Sequence, residues 1–411
     1  MTSSSPSVTY RPLFALPVIV AALGYFVDVY DLLLFNIVRV PSLKDLGLDE
    51  KQVSVIGGTV LNWQQAGLLL GGVFWGVLGD KRGRLSVLFG SIITYSLANI
   101  ACGFVQDADT YAVLRFVAGL GLAGELGAGI TLVSEILPKE LRGYGTSLIA
   151  GVGLFGAVVA YFTVVLFDWR TTYFIGGGLG LLLLLLRVSV FESGMFLKIK
   201  EQTVRRGNFW SLFSNRKRFL TYLRCMGLAV PTYFVIGILA TFSNEFGKAL
   251  GIAEPIAPGR TVMFTYIGMA VGDLISGALS QWLRSRRRAI GALMTMNLVF
   301  VGIYLFGGIS SVSMFYAVCV GLGFSIGYIA LFLTVSAEHF GTNLRATATT
   351  SIANNVRATT LLTIPLFQSL KLSVGVIGAA AMVGLLCFVI SFWSLVTLDE
   401  TYGKDLNYVE D

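Results

Sequence analysis

The sequence predicts an all-α membrane protein in which twelve transmembrane helices form two pseudo-symmetric six-helix bundles. Three observations lead to this prediction. Hydrophobic residues make up 55% of the 411 residues, and charged residues only 13%. The apolar residues fall into twelve runs, most of them near the roughly 20 residues that cross a bilayer as a helix. Parts of the first six runs also recur in the last six.

Each apolar run is expected to be helical, because a backbone in lipid must satisfy its own polar groups. The first run is longer than the apolar core of a signal peptide and lacks a basic leader, so we expect it to remain a membrane helix. In chain order the runs cover residues 13–38, 53–78, 85–105, 110–137, 144–167, 171–191, 219–243, 260–283, 289–307, 311–336, 345–370 and 374–397.

The basic residues predict the orientation. With the N-terminus inside, the inner loops carry 19 Lys and Arg residues and the outer loops carry 7. Cytoplasmic loops of membrane proteins carry such an excess. We therefore expect a multi-pass protein of the cytoplasmic (inner) membrane with both termini in the cytoplasm. The net charge of +7 then reflects topology, and we expect no nucleic-acid partner.

The two halves of the chain repeat each other. A shift of 201 residues superimposes glycines of the second and eighth runs, and a shift of 203 superimposes charged residues after the fourth and tenth runs. The superimposed pairs are Gly67 and Gly268, Gly71 and Gly272, Gly76 and Gly277, Glu135 and Glu338, and Arg142 and Arg345. Such repeats are typical of transporters that bind substrate between their halves. We predict an N-terminal bundle (1–191), a cytoplasmic linker (192–218) and a C-terminal bundle (219–411).

The shortest connection joins the second and third runs and forces them into an antiparallel pair. Its sequence pattern, with three others, resembles the major facilitator superfamily. The four patterns are Gly76-x-Leu78-x-Asp80-x-x-Gly83-Arg84, the stretch from Arg115 to Gly124-Glu125, the set Glu135, Pro138, Arg142 and Gly143, and the tail Glu400-Thr401-x-Gly403-x-x-Leu406. The resemblance implies a twelve-helix secondary transporter that works by alternating access.

The resemblance also implies a conformational latch on the inner side. In the family, the acidic and basic residues of these loops hold the inner side closed. That role falls on Asp80, Arg84, Glu135 and Arg142. The second-half copy of the first turn has Gln281 in place of the aspartate, so a symmetric second latch is not expected.

Departures from the family patterns narrow the class of transporter. The fifth run lacks the proline that drug-exporting antiporters carry, and the seventh lacks the Gln-Leu-Ser of sugar porters. The Asp28-x-x-Asp31 pair and the Gly124-Glu125 step look more like symporters of organic acids. We expect proton-coupled symport of a small organic anion. A proton-coupled sugar or polyol symporter and a metabolite or drug exporter remain alternatives.

Ionisable residues inside the apolar runs are the candidates for proton coupling. Each costs about 2.5–3.5 kcal/mol at a helix centre, so it must be paired, hydrated or neutral. Asp28 and Asp31 lie three residues apart on the first helix, and Arg115 on the fourth is expected to reach toward Asp31. We predict that Asp28, Asp31, Arg115 and Glu125 form the coupling group, with Asp28 or Glu125 as the proton acceptor. A fixed Asp31–Arg115 bridge is the structural alternative.

Arg357 is the candidate for anion binding. It lies near the centre of the eleventh run, and a guanidinium offers a planar fork that fits a carboxylate. Asn354 lies beside it, and Gln64 and Gln65 lie at a matching depth on the second run. We predict a substrate site formed by Arg357, Asn354, Gln64, Gln65, Tyr30 and Asp273. The alternative is that Arg357 pairs with Asp273 inside the second half.

Other functional classes find little support in the sequence. The four cysteines lie inside apolar runs without ligand-like spacing, and there is one histidine, so we expect neither a metal site nor a cofactor. The chain has no nucleophile–histidine arrangement and no phosphate-binding loop, so we do not expect an enzyme. The expected partners are a small-molecule substrate, protons and the lipid bilayer, and we expect the protein to act as a monomer.

Overall fold

The computed structural model describes residues 11–138, 140–187 and 209–409, and all regular secondary structure in these ranges is helical. We label the membrane-crossing segments α1 to α12, several of which are interrupted. They are α1 (Leu16–Asp45), α2 (Glu50–Arg82), α3 (Arg84–Cys102), α4 (Ala108–Leu122 and Glu125–Ile136), α5 (Arg142–Leu154 and Gly156–Leu166), α6 (Trp169–Arg187), α7 (Arg216–Leu228, Val230–Phe234 and Val235–Ala240), α8 (Pro258–Trp282), α9 (Arg286–Phe306), α10 (Val312–Ile326 and Ile329–His339), α11 (Arg345–Arg357, continued by 360–374) and α12 (376–397).

The twelve segments follow from helix length and apolarity. Within the described ranges, nine helices qualify as membrane spans by length and composition, and the bent pair of α7 makes ten. The 33-residue α2 adds another, because its charged residues are confined to its two ends. One 53-residue stretch contains both α11 and α12. It is broken at Gly375, whose φ of 72° is a conformation that glycine adopts readily.

Every predicted run overlaps one of these segments, and the expected fold is confirmed. The sequence did not predict that α2 would extend to Arg82 or that α7 would begin at Arg216. The end of the sixth run (188–191) and most of the predicted linker (192–208) lie outside the described residues. The rest of the linker carries a short helix, Ser211–Ser214.

Four of the helix breaks repeat between the two halves, whereas the break in α7 has no counterpart in the continuous α1. The gap in α4 after Leu122 corresponds to the gap in α10 after Ile326, at an offset of 204 residues. The gap in α5 after Leu154 corresponds to the gap in α11 after Arg357, at an offset of 203. The helices α4 and α10 are therefore interrupted at equivalent depths, and so are α5 and α11, as expected for two copies of one bundle.

Two helix pairs form the largest contacts between the bundles: α2 packs against α11, and α5 packs against α8. Smaller contacts join α4 to α10 and α11, and α5 to α10. Small residues permit the close approach. A Cβ atom on Gly76 would lie 2.9 Å from the Cα of Thr347, and one on Gly72 would lie 2.9 Å from the Cβ of Asn354. Both contacts lie toward one end of the molecule. We call this end the basic face, because it exposes Lys81, Arg82, Arg284 and Arg288.

Candidate functional site

A cavity of about 530 Å³ lies between the two bundles, in the half of the molecule away from the basic face. Helices of both bundles line it, mostly with apolar side chains and a few polar ones. The lining residues are Tyr25, Val29, Leu32, Leu33, Leu61, Asn62, Gln64, Gln65, Leu68, Leu154, Tyr233, Ile236, Gly237, Thr241, Tyr266, Met269, Ile329, Arg357, Thr360, Leu361, Ile364 and Pro365. A cavity of this size falls in the range of small-molecule sites.

Arg357 supplies a cation to the cavity wall. It is the last residue of the first part of α11, so the guanidinium lies beside the break in that helix. Its Nε donates a hydrogen bond to the hydroxyl of Tyr233 over 3.3 Å. Tyr25, on α1 of the other bundle, lines the same cavity, and the buried carboxylate of Asp28 on that helix acts on the charge of Arg357. Side chains of both bundles therefore surround the guanidinium of Arg357.

Asn354 and Asp273 lie away from the cavity lining. The amide of Asn354 donates to the carbonyl of Ala123 over 3.0 Å, at the break in α4, and thereby links the bundles. Asp273 is fully buried, and its Oδ1 accepts the N–H of Ala330 over 3.1 Å at the break in α10. Within the described ranges Asp273 forms no ion pair with Arg357.

Gln64 joins the cavity to a buried polar network. Its Oε1 accepts a hydrogen bond from Nε of Arg115 over 3.3 Å. Arg115, which is completely buried, also donates to Oδ1 of Asn99 over 2.8 Å and to the main-chain carbonyl of Asp31 over 3.2 Å. Arg115 therefore reaches Asp31 as expected, but it binds the backbone of that residue. Gln65 lines the cavity next to Gln64.

Tyr30 and Glu125 lie inside the N-terminal bundle. The hydroxyl of Tyr30 lies 3.0 Å from that of Thr163 and donates to the carbonyl of Thr172 over 3.1 Å. Glu125 is the first residue of the second part of α4 and accepts a hydrogen bond from Ser91 over 2.6 Å. Neither residue is among those that line the cavity.

Asp80 contacts the other bundle at the basic face. Its two carboxylate oxygens accept the backbone N–H groups of Ala346, over 3.0 Å, and Thr347, over 2.7 Å. Both amides belong to the first turn of α11, where N–H groups have no partner within the helix. The positive end of the helix dipole favours a carboxylate there. Asp80 thus caps a helix of the opposite bundle.

A buried ion pair lies beside this cap. Nη1 of Arg345 and Oε1 of Glu135 are 3.0 Å apart, and both side chains are fully buried. Arg142 donates to the carbonyl of Ser134 over 2.7 Å and to that of Lys404 over 3.2 Å. Three of the four predicted latch residues therefore meet the opposite bundle or its C-terminal tail. The side chain of Arg84 lies outside the described part of the structure.

The second half carries charged contacts that were not predicted from the sequence. Arg286 pairs with Glu338 over 3.1 Å. Glu338 and Arg345 are the repeat partners of Glu135 and Arg142, so the offset of 203 residues was the signal that could have identified them. Gln281 occupies the position equivalent to Asp80, so the second half lacks the carboxylate for an equivalent helix cap. The ion pairs at this face are nevertheless present.

The C-terminal tail closes over this face. The carbonyl of Leu406 accepts hydrogen bonds from Arg345 over 2.7 Å and from Thr342 over 3.1 Å. The carboxylate of Glu400 accepts from Ser285 and from the first amides of α9. Burial alone would raise the pKa of Glu400, but the hydrogen bonds from Ser285 and the backbone outweigh it and lower that pKa.

The comparisons with known proteins agree with this architecture. Residues 21–359 match the model of the Major Facilitator Superfamily. The chain is 35% identical to the niacin transporter NiaP of Acinetobacter baylyi over 38% of its own length and 36% of that protein's. It is 25% identical to a gentisate transporter of Corynebacterium glutamicum over 78% of its length and 73% of that protein's.

A solved structure has the same fold. The proton:xylose symporter XylE superimposes with a TM-score of 0.77 at 17% identity, over 97% of this chain and 98% of that one. The family and the relatives are transporters and not enzymes. This multi-pass membrane protein therefore belongs to the major facilitator superfamily.

Proposed function

We propose that this protein is a proton-coupled symporter of a small aromatic carboxylate and that it works by alternating access. The observation that carries the proposal is the position of Arg357, a cation at the junction of both bundles on the wall of the cavity. A guanidinium binds a carboxylate through two parallel hydrogen bonds. The named substrates of two relatives, niacin and gentisate, are both aromatic acids.

The composition of the cavity wall supports an aromatic rather than a purely polar substrate. Tyr25, Tyr233 and Tyr266 surround Arg357 with rings, and the side chains of Leu32, Leu61, Ile236 and Ile364 continue the apolar wall. The aromatic ring of the substrate would be buried against these groups, and its carboxylate would contact the guanidinium of Arg357. Asn62, Gln65 and Thr241 provide hydrogen-bonding groups for ring substituents.

Asp28 supports a route for proton coupling. Its side chain is buried and acts electrostatically on Arg357 from the opposite bundle. A substrate carboxylate and the Asp28 carboxylate would therefore compete for one guanidinium. Protonation of Asp28 removes its negative charge, and the guanidinium of Arg357 is then available to the substrate carboxylate. A proton and the substrate anion would therefore bind together. We propose that the buried network of Asp31, Arg115 and Gln64 positions α1 so that Asp28 lies beside Arg357. Glu125 is a second candidate proton site.

The contacts at the basic face support an outward-facing state. Asp80, Glu135 and Arg142 hold the bundles together at one end, while the cavity lies toward the other. The proposed inward-facing state requires these contacts to separate. We further propose that the basic face is cytoplasmic, as the charge bias predicts, that the protein resides in the inner membrane with both termini inside, and that it acts as a monomer.

Uptake into proteoliposomes tests the proposed function. We expect an inside-alkaline pH gradient to accelerate the uptake of labelled gentisate or niacin, and a protonophore to abolish the acceleration. Unlabelled aromatic acids should compete, and xylose should not. An uptake rate that does not change with the pH gradient would contradict proton-coupled symport. Competition by xylose would favour the sugar-symporter alternative.

Removal of the Glu135 carboxylate should open the basic face. Glu135→Gln leaves the buried Arg345 without its counter-ion, and breaking such a pair costs about 3–5 kcal/mol. The cost applies only to the closed state, because both groups gain water when the face opens. Spin labels at the exposed positions 81 and 284 should therefore report a longer distance between the bundles.

Glu140→Gln provides the control for this experiment. It removes the same charge from the neighbouring loop, where the side chain is exposed. The distance distribution of this variant should match that of the unmodified protein. An unchanged distribution in Glu135→Gln would show that the pair does not hold the face closed.

A further inference from the structure

A second pocket lies at the basic face of the C-terminal bundle, apart from the central cavity. Its volume is about 260 Å³, below the usual range for drug-sized ligands. The start of α7, the end of α10 and the C-terminal tail form its walls. The lining residues are Asn215, Lys217, Arg218, Thr221, His339, Phe340, Asp399, Lys404 and Tyr408.

The pocket is cationic. Lys217, Arg218 and Lys404 bring three positive charges, and Asp399 brings one negative charge. Arg218 donates to the carbonyl of Ser211 over 2.8 Å, which holds the guanidinium against the wall. Nζ of Lys404 lies 3.2 Å from the hydroxyl of Tyr408. Lys217 is exposed, so its ammonium can move to a ligand at small cost.

His339 adds a buried acceptor to the same wall. Its Nδ1 lies 2.8 Å from the carbonyl oxygen of Val335, which can only accept, so Nδ1 carries the hydrogen. In the neutral ring Nε2 is then a bare acceptor. Nε2 is buried, and within the described residues it has no hydrogen-bond partner. A buried polar atom without a partner costs free energy, and a ligand hydroxyl would relieve that cost.

We propose that this pocket binds a hydroxyl-bearing phosphate group at the inner membrane face. The anionic oxygens would accept from Lys217, Arg218 and Lys404, and a hydroxyl would donate to Nε2 of His339. Hydrogen phosphate and the headgroup of phosphatidylglycerol both combine these two features.

The neighbouring short helix favours the lipid as the source. Phe209, Trp210 and Phe213 form an aromatic cluster with ring centroids 5.1–6.2 Å apart, and Trp210 is 76% exposed. Aromatic side chains of this kind lie at the headgroup level of membranes. Basic pockets between membrane helices on the cytoplasmic side bind anionic headgroups.

Thermal unfolding of the full chain in phosphatidylcholine nanodiscs tests the proposal. One series adds phosphatidylglycerol, and a second adds inorganic phosphate at constant ionic strength with chloride as the reference. We expect a rise in the unfolding midpoint, and an apparent affinity about tenfold weaker in Lys217→Gln, since a charge-assisted hydrogen bond is lost. Asp399→Asn should bind more tightly, because a like charge is removed.

Lys248→Gln is the matched control, because this lysine is exposed at the opposite end of the molecule. It should respond like the unmodified protein. A response to phosphatidylglycerol alone assigns the site to the lipid, and a response to inorganic phosphate as well assigns it to the shared phosphate group. The proposal is overturned if neither ligand shifts the midpoint, or if Lys217→Gln and Lys248→Gln respond equally.

Discussion

Arg357→Ala is expected to reduce the uptake of aromatic acids at low substrate concentration by at least about a hundredfold. The proposed bidentate contact contains two charge-assisted hydrogen bonds, each worth about 1.5–3 kcal/mol. Since every 1.4 kcal/mol is a factor of ten in affinity, loss of both bonds exceeds a hundredfold. The measurement is the initial rate of labelled gentisate uptake, together with the substrate-induced shift in thermal stability.

Two variants make this experiment specific. Arg357→Lys retains the charge but loses the planar fork, so its affinity should be intermediate. Arg260→Ala removes an exposed arginine at the outer end of α8 and should transport normally. If Arg357→Ala folds, as judged by its elution profile and helicity, and still binds the acid with unchanged affinity, Arg357 is not the anion site.

Asp28→Asn should separate substrate binding from proton coupling. Asparagine resembles a permanently protonated aspartate, so the competitor for Arg357 is lost while its shape is retained. We expect the variant to bind substrate at least as tightly as the unmodified protein does and to exchange it across the membrane. It should not accumulate substrate when an inside-alkaline pH gradient is imposed.

Glu125→Gln distinguishes the two candidate proton sites. Glu125 contacts Ser91 inside the N-terminal bundle rather than the cavity, so this variant should retain accumulation driven by the pH gradient. The opposite pattern, with accumulation lost in Glu125→Gln and retained in Asp28→Asn, would assign the coupling step to Glu125. That pattern would contradict the competition between Asp28 and the substrate.

The fold could be predicted from the sequence because the bilayer constrains it so strongly. Each span requires about 20 apolar residues, and that requirement is visible in the sequence of a single chain. The breaks in α4, α5, α10 and α11 were not predicted. Hydropathy registers only the apolar character of a stretch, and a locally unwound turn between apolar residues leaves that character unchanged.

The site was predicted less completely, because hydropathy does not give the rotation of a helix about its axis. Each residue turns a helix by about 100°. Asp28 and Asp31 are therefore about 60° apart, which is enough for one to act on Arg357 and the other to adjoin Arg115. The same uncertainty grouped Tyr30 with the substrate site, whereas Tyr25 lines the cavity. Arg357, which lines the cavity, could be singled out as a candidate because a charge inside an apolar run is costly whatever its direction.

The partners of Asp80 have a consequence for how this contact can be found in other sequences. Asp80 binds main-chain amides, which every amino acid except proline supplies. Exchanges among small residues at the buried positions 346 and 347 therefore leave both amides in place, and evolution need not compensate for such exchanges at position 80. Covariation across an alignment should reveal the Glu135–Arg345 pair and miss the helix cap beside it.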